Sequence, residues 1–495
     1  MTRASRAAVA ASLASLLAAT VGGSVHASSE RAETSPRPDL PQGVAVAEVT
    51  AEAGVLWARC PDGDRLRVSV DRGDDREVRV DAARDFTARL DLDHLTSGAE
   101  HTYRARCVRG AGPGEAIAGR FRTAPVPSSP APVRFAFGGD LGGQNVCRDA
   151  MLGYPIFAAI AATRPDFFIA LGDLIYADNR CLEIGALRNR QIPGPPVARE
   201  KADFWAHWRY NRSDGGQRDL LASVSYYPVW DDHEVRNDFA PPHDRSKGGP
   251  GSPARLVNAG LAAFLDYNPI RPPASAPGEL YRSFRWGRHL EIFILDTRLH
   301  RDANAAPDLA SHPKTLLGSE QRDWLLRSLA SSDATWKVVV SSVPLSIPTG
   351  TDARDGWADG GGPQGFEREL RSILEQLRRD RVRGIVFLTT DVHFATAFQY
   401  RPFPDDPEFE LHELVTGPLH AGLVPLQALD PTFSPTRLFF YGPAAAHMPA
   451  TLTEALPWFN FGLLEVSAKG ELTARVVDAN GETRATIRLS PAARG

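Results

Sequence analysis

Lysine is nearly missing from this chain. Of its 56 basic residues only five are lysine, at positions 201, 247, 314, 337 and 469. Codon bias explains such a skew and it assigns no partner. There is no basic block and no stripe of basic and aromatic residues. With 56 basic against 60 acidic residues the formal net charge is −4, which argues against a nucleic-acid partner. No internal repeat is visible. Long apolar runs are confined to the N-terminus, where no stop-transfer pattern follows. Cysteine is scarce too, with four residues.

What is there is enough for a large structure. At 495 residues and 43% hydrophobic composition, the chain can bury a sizeable core in more than one folding unit. Residues 1–27 read as a signal peptide. Arg3 and Arg6 form a short positive region, "AAVAASLASLLAATVGG" is the apolar region, and "VHA" before Ser28 offers a cleavage site. The arginines are not adjacent, so a twin-arginine signal is not expected. The expectation is a secreted, periplasmic or extracellular protein with no membrane span after cleavage, in a compartment where an even cysteine count favours disulfides.

Residues 28–41 read as a linker. From 42 to 124 short alternating runs such as "GVLWARC", "LRVSV" and "FTARLDL" predict a β-sandwich. "LDHLTSGAEHTYRARC" resembles the turn and tyrosine corner of fibronectin type III-like domains, with Tyr103 in the corner. "PVPSSPAP" at 125–132 is a stiff linker. Beyond it, at 133–495, buried runs ("VRFAFGG", "PDFFIALGD", "YYPVWDD", "LEIFILD", "WKVVVSSVP", "RGIVFLTTD") alternate with amphipathic stretches. That pattern predicts an α/β layered domain with its active groups where strands end. Asn480-Gly481 marks a hairpin near the C-terminus.

The ends of those runs carry the chemistry. "FAFGG" stops at Asp140, and "FFIALG" stops at Asp173, with Tyr176 shortly after. "YYPVW" stops at Asp231-Asp232-His233-Glu234, and "GIVFLTT" at Asp391 with His393. Charge at the exit of an apolar strand is costly unless paired or coordinated. Carboxylate, phenol and imidazole together suit a binuclear centre holding one Fe³⁺-like and one divalent ion. Cys60 and Cys107 share the β-rich segment, while Cys147 and Cys181 each follow a candidate metal motif. The pairings expected are 60–107 and 147–181. Three connectivities are formally open, and Cys147 stands as a reserve metal ligand.

"GGDLGG", "GDLIYAD", "WDDHE" and "TTDVHF" resemble the metal motifs of calcineurin-like metallophosphatases. "GDLIYAD" is similar to purple acid phosphatases, whereas "WDDHEVRNDF", "ILDTR" and "HELVTGPLHAG" are similar to the alkaline phosphatase D (PhoD-like) family. The resemblance covers about residues 42–465 and favours the PhoD-like family. It implies a four-layer domain with two central β-sheets flanked by helices. It also implies a first site of Asp140, Asp173, Tyr176 and His393 for Fe³⁺. Asp173 would bridge to a second site completed by Asp232 and Asp391. Two carboxylates there favour Ca²⁺ over Zn²⁺, with Mn²⁺ and Mg²⁺ as further options.

Two departures stand out. The PhoD-like pattern has a cysteine ligand in the first motif where this chain has Asp140. A histidine ligand of purple acid phosphatases is replaced by the Val343-Pro344-Leu345 stretch. The expected reaction is hydrolysis of a phosphate ester, small or polymeric, by metal-activated hydroxide. His233 would protonate the leaving oxygen and Arg236 would neutralise a phosphate oxygen. Asp296, Thr297 and Arg298 are expected to support the ligands or form a structural salt bridge. His412 and His420 are expected near the site as loop packing, and "DARDGWADGGGPQG" as a loop at its mouth. The alternatives are a phosphodiesterase or phospholipase D-like hydrolase on the same site, and a non-catalytic wall- or matrix-binding protein.

Overall fold

Strands form where the apolar alternation placed them. The N-terminal ones are β1 (Val44–Ala47), β2 (Gly54–Arg59), β3 (Arg65–Val70), β4 (Arg76–Arg79), β5 (Thr87–Leu92), β6 (Glu100–Arg109), β7 (Gly112–Pro113) and β8 (Ile117–Arg122). They are followed by β9 (Val133–Gly138), α1 (Ile156–Ala162), β10 (Phe167–Ala170), α2 (Lys201–Arg212), α3 (Gly215–Ser223), β11 (Ser225–Pro228) and α4 (Pro253–Tyr267). Next come β12 (Arg282–Trp286), β13 (Leu290–Ile294), α5 (Gly318–Ser331), β14 (Trp336–Val340), α6 (Glu367–Arg379), β15 (Ile385–Thr389), β16 (Ala395–Tyr400), β17 (Leu411–Val415) and β18 (Pro435–Tyr441). The chain closes with α7 (Leu452–Ala455), β19 (Asn460–Val466), β20 (Leu472–Asp478) and β21 (Thr483–Leu489). This computed structural model describes residues 40–491 apart from 111, 242–251 and 272–277. The expected signal peptide lies outside the described residues, as does most of the 28–41 linker. No helix among them is long and apolar enough to cross a membrane.

One sheet has nine strands in the order β21-β20-β19-β9-β10-β11-β1-β2-β5, and a second has seven, β12-β13-β14-β15-β17-β16-β18. Both are mixed, with β9, β10 and β11 parallel in one and β13, β14, β15 and β17 parallel in the other. Side chains alternate across a strand, and that alternation builds the layers. Phe135, Phe137, Phe167 and Ile169 enter a core shared with Ile292, Val338, Val386 and Leu388 of the facing sheet. Ala136, Phe168 and Ala170 turn the other way, towards Ile156, Phe204, Trp208 and Phe264 of the helices. On the far side of the second sheet, Val339, Ile385 and Phe387 pack with Leu325 and Leu329 of α5 and with α6. In α6 the buried residues Leu370, Ile373, Leu374 and Leu377 recur at helical spacing, one apolar stripe on a charged helix. The order is helices, sheet, sheet, helices.

The N-terminal strands divide between two sheets. β1, β2 and β5 extend the nine-stranded sheet, joined at the Ala47–Tyr226 pair. β3, β4, β6, β7 and β8 form a separate sheet. Leu56, Ala58, Leu90 and Leu92 from the first group meet Leu66, Val68, Tyr103 and Phe121 from the second. Cys60 and Cys107 are disulfide-bonded within this core. Tyr103 does not make its own corner. Its hydroxyl donates to the Ala222 carbonyl in α3 at 3.0 Å, because a buried phenol takes whatever acceptor its site offers. Gly119 permits that approach, since a Cβ there would lie 2.3 Å from both Tyr103 and the Ala222 carbonyl. Buried polar bonds complete the seam. Arg282 binds Glu48 at 2.8 Å, and Trp57 donates to the Asp266 carbonyl at 2.8 Å. The proline-rich 125–132 segment is also tied down, with Arg288 N–H donating to the Ser129 carbonyl at 2.7 Å.

Candidate metal centre

The parallel strands of both sheets stop at one mouth, and the backbone turns sharply there. Asp140 (φ 64°), Asp173 (φ 52°), Asp391 (φ 77°) and His393 (φ 58°) all adopt left-handed conformations. Such angles are uncommon for residues with a Cβ and cluster where surrounding structure enforces them. Gly172 (φ 111°) makes the closest approach possible, because a Cβ there would sit 2.7 Å from Asp231 Cβ. Glu234 fixes the turn between the motifs. Its carboxylate accepts the N–H groups of Asp173, Leu174 and Asp231 at 3.1, 2.8 and 2.8 Å. Burial pushes its carboxyl up to about 8.

On one side, the Tyr176 hydroxyl lies 3.0 Å from His393 Nε2, which is 3.7 Å from Asp140 Oδ1. His393 Nδ1 donates to the Gly422 carbonyl, which leaves Nε2 with its lone pair facing inward. On the other side, ligand atoms of Asp173, Asp231, Asp232 and Asp391 lie within 4.8 Å of one another, as do those of Asp173, Asp232 and His233. Asp232, Asp238 and Asp355 form a third such group. Burial, reinforced by neighbouring carboxylates, holds Asp173 and Asp391 well above the usual carboxylate range and Tyr176 well above the usual phenol range.

The decisive feature is what the carboxylates lack. Asp140 Oδ1, Asp173 Oδ2, Asp231 Oδ2 and Asp232 Oδ1 are buried and have no hydrogen-bond partner. A buried acceptor without a partner is costly, and an oxygen-lined cluster of them fits hard cations. The residues present therefore fit a metal centre.

His233 stacks on Tyr176 with ring centroids 4.0 Å apart, and its Nδ1 is 2.7 Å from Asp178 Oδ1. Burial alone would lower the imidazole, but the Asp232 carboxylate and the Asp178 hydrogen bond raise it to about 9. Asp178 also accepts the Asn237 N–H at 2.9 Å. Arg236 is exposed on the same turn.

Arg298 is fully buried among acids. Its Nε lies 2.5 Å from Asp231, Nη1 2.8 Å from Asp355 and Nη2 3.5 Å from Asp232. Arg301 adds a 2.6 Å contact to Asp355, and Asn304 links Asp355 to the Asp238 carbonyl, each at 2.9 Å. Asp296 caps the loop by accepting the N–H groups of Arg298 and Leu299 at 3.0 Å.

The structure brings Asp140, Asp173, Tyr176, Asp232, His233, Asp391 and His393 to this mouth. It corrects others. Cys147 is bonded to Cys181, so no thiolate remains there and the reserve-ligand reading lapses. His420 packs beside the centre as expected, its backbone N–H donating to the Asp140 carbonyl at 3.1 Å and its Nε2 lying 3.1 Å from the Cys147 carbonyl. His412 is not near the site. It lies towards the start of β17 and lines a cavity of about 270 Å³ with Trp336 and Arg383. Asp178, Asp231, Glu234 and Asp355 were not assigned from sequence. Asp231 and Glu234 stood in the quoted "WDDHE", and Asp355 was hidden in the glycine-rich "DARDGWADGGGPQG".

The model of the PhoD-like phosphatase family matches residues 137–470, and that of its N-terminal domain matches residues 25–125. Alkaline phosphatase D of Bacillus subtilis (strain 168) is 27% identical over 300 residues, 56% of this chain and 49% of that protein. The match thus spans about half the length of this curated relative. The solved structure of PhoD has a TM-score of 0.70 at 21% identity, covering 92% of this chain and 90% of that one. Purple acid phosphatase PPD1 from yellow lupin (Lupinus luteus) seeds has a TM-score of 0.60 at 14% identity, covering 91% and 75%. Both share the fold. The family match extends over most of the chain, which belongs to the PhoD-like phosphatases.

Proposed function

We propose that this protein is a secreted, metal-dependent hydrolase of phosphate esters, working at a binuclear centre. The observation that carries the reading is the set of four buried carboxylate oxygens without a hydrogen bond on Asp140, Asp173, Asp231 and Asp232. Asp140, Tyr176 and His393 would hold Fe³⁺, and Asp232 and Asp391 a divalent ion, Ca²⁺ first, with Asp173 shared between them. Asp231 joins the second group by position. When bound, such ions supply positive charge to phosphoryl oxygens and acidify water.

The chain's own residues do the remaining work. Water attacks phosphorus in line, and the P–O bond to the leaving alcohol breaks. His233, held through Nδ1 by Asp178, turns its other nitrogen to the leaving oxygen and gives it a proton. Arg236 meets a non-bridging oxygen as charge develops. The N-terminal strands are read as a fibronectin type III-like sandwich (42–124) supporting a calcineurin-like catalytic domain (133–495). The disulfides support an oxidising destination.

The test is hydrolysis of nitrophenyl phosphate and of bis-nitrophenyl phosphate, before and after chelation. Activity on either ester that chelation abolishes and metal restores supports the reading, and the ratio separates mono- from diesterase. Inactivity on both after metal loading would favour a binding protein.

A further inference from the structure

Beside the centre lies a surface that the proposed reaction leaves unused. Ten large hydrophobic side chains are exposed among the described residues, and five belong to the two loops that the Cys147–Cys181 disulfide joins. They are Met151, Leu152, Leu182, Ile184 and Ile192. Scattered exposed hydrophobics are ordinary, so their grouping is what counts.

Backbone pairing groups them. Asp149 pairs with Gln191, and Ile184 with Arg190, across antiparallel bridges. Ile192 N–H donates to the Arg148 carbonyl at 2.9 Å. Gln191 is buried and donates to Asn145 and to the Leu182 carbonyl, each at 2.9 Å. Side chains alternate along extended segments, so Arg190 and Ile192 face away from Gln191, and Ile184, opposite Arg190, faces out with them. Met151 and Leu152 top the adjoining turn, where their N–H groups are held by the Asp149 carboxylate at 2.9 Å. Met151 is 94% exposed.

The charges around these tips are mostly positive. Within residues 147–153 and 180–192, Arg148 is buried and donates to the Tyr210 carbonyl at 2.7 Å, which leaves Arg180, Arg188 and Arg190 at the surface against Asp149 and Glu183. Asp149 is occupied by the turn and by Asn189 at 3.0 Å, and Glu183 by Arg190 at 2.8 Å. Arg180 and Arg188 are exposed. The patch is therefore basic on a chain of net charge −4.

We propose that this stapled loop pair is a docking surface for an anionic lipid bilayer. The apolar tips enter the boundary between head groups and acyl chains, and the arginines meet lipid phosphates. A second copy of the chain is a poorer occupant, because two-fold pairing would set one arginine fringe against the other. The surface adjoins the catalytic mouth, since Tyr176 and Asp178 lie a few positions before Cys181 in the same loop.

The experiment is co-sedimentation of the mature chain with vesicles of equimolar phosphatidylglycerol and phosphatidylcholine, against phosphatidylcholine alone. Binding to the anionic vesicles, weakened by salt, is expected. The double variant Met151→Asp/Ile184→Asp should bind at least tenfold less, and Arg180→Ser/Arg188→Ser should lose the anionic preference. Nitrophenyl phosphate hydrolysis should be unchanged in both. No vesicle binding, equal binding by the first variant, or a solution dimer that this variant dissolves would overturn the proposal. An inert protein that still binds vesicles would count only against the phosphatase reading.

Discussion

The strand ends of the nine-stranded sheet and those of the seven-stranded sheet meet at one mouth with different chemistry. β9, β10 and β11 lead to Asp140, Asp173, Asp231 and Asp232, each with one buried oxygen that accepts no hydrogen bond. β13 and β14 lead to Arg298 and to Ser342, whose side chains both donate to Asp231 Oδ1. β15 adds Asp391 and His393 from that side, and the loop after β14 adds Asp355. Six carboxylates (Asp140, Asp173, Asp231, Asp232, Asp355, Asp391) thus face two guanidiniums, Arg298 and Arg301. The second sheet neutralises part of what the first concentrates. In the proposed reading bound cations supply the rest, because uncompensated buried charge is expensive.

Substitution on the carboxylate side should have the largest effect. Asp173→Ala should abolish nearly all activity and remove both metals, as metal analysis of the purified variant would report. In the metal-free protein the same change should raise the urea midpoint, since it relieves repulsion among neighbouring acids. A lower midpoint would break the contrast drawn between the sheets.

His233→Ala comes next. It should lower kcat by roughly 10²–10⁴ at near-normal metal content. The loss should be greater for alkyl phosphates than for nitrophenyl phosphate, whose leaving group departs without a proton. Equal losses, or a missing metal, would make His233 a ligand or scaffold residue. Its grouping with Asp173 and Asp232 makes that a real test.

On the cation side the expected loss is in stability. Arg298→Met leaves Asp231, Asp232 and Asp355 without their shared partner, and should cost about 3–5 kcal/mol by urea unfolding of the metal-free protein. Added Ca²⁺ should recover part of it. Smallest of all, Tyr103→Phe removes one hydrogen bond at the seam with α3 and should cost about 1 kcal/mol with activity intact.

The two sides also differed in how far the sequence disclosed them. Acidic residues at the ends of apolar runs stand out because such runs have no other use for charge, so Asp140, Asp173, Asp232 and Asp391 were visible. Both disulfide pairs were legible because the cysteines fell in two neighbourhoods. Arg298 was visible as a salt-bridge candidate after "FIL", but its partner Asp355 sits in an irregular, glycine-rich loop with no periodicity to read. Glu234 acts by accepting three backbone N–H groups of a turn, and Asp178 by holding an imidazole and the Asn237 N–H, and local spacing does not encode such contacts. The union of β1 with β11 was also hidden, because strand order between distant segments leaves no local signature.

Cations are expected to complete the charge of this mouth. Metal content per chain, measured together with nitrophenyl phosphate turnover across graded chelation, tests it most directly. The expected result is about one iron and about one divalent ion per active chain, with activity falling as either is withdrawn and an iron–tyrosinate colour lost in Tyr176→Phe. A protein that keeps full turnover after both ions are removed would contradict it.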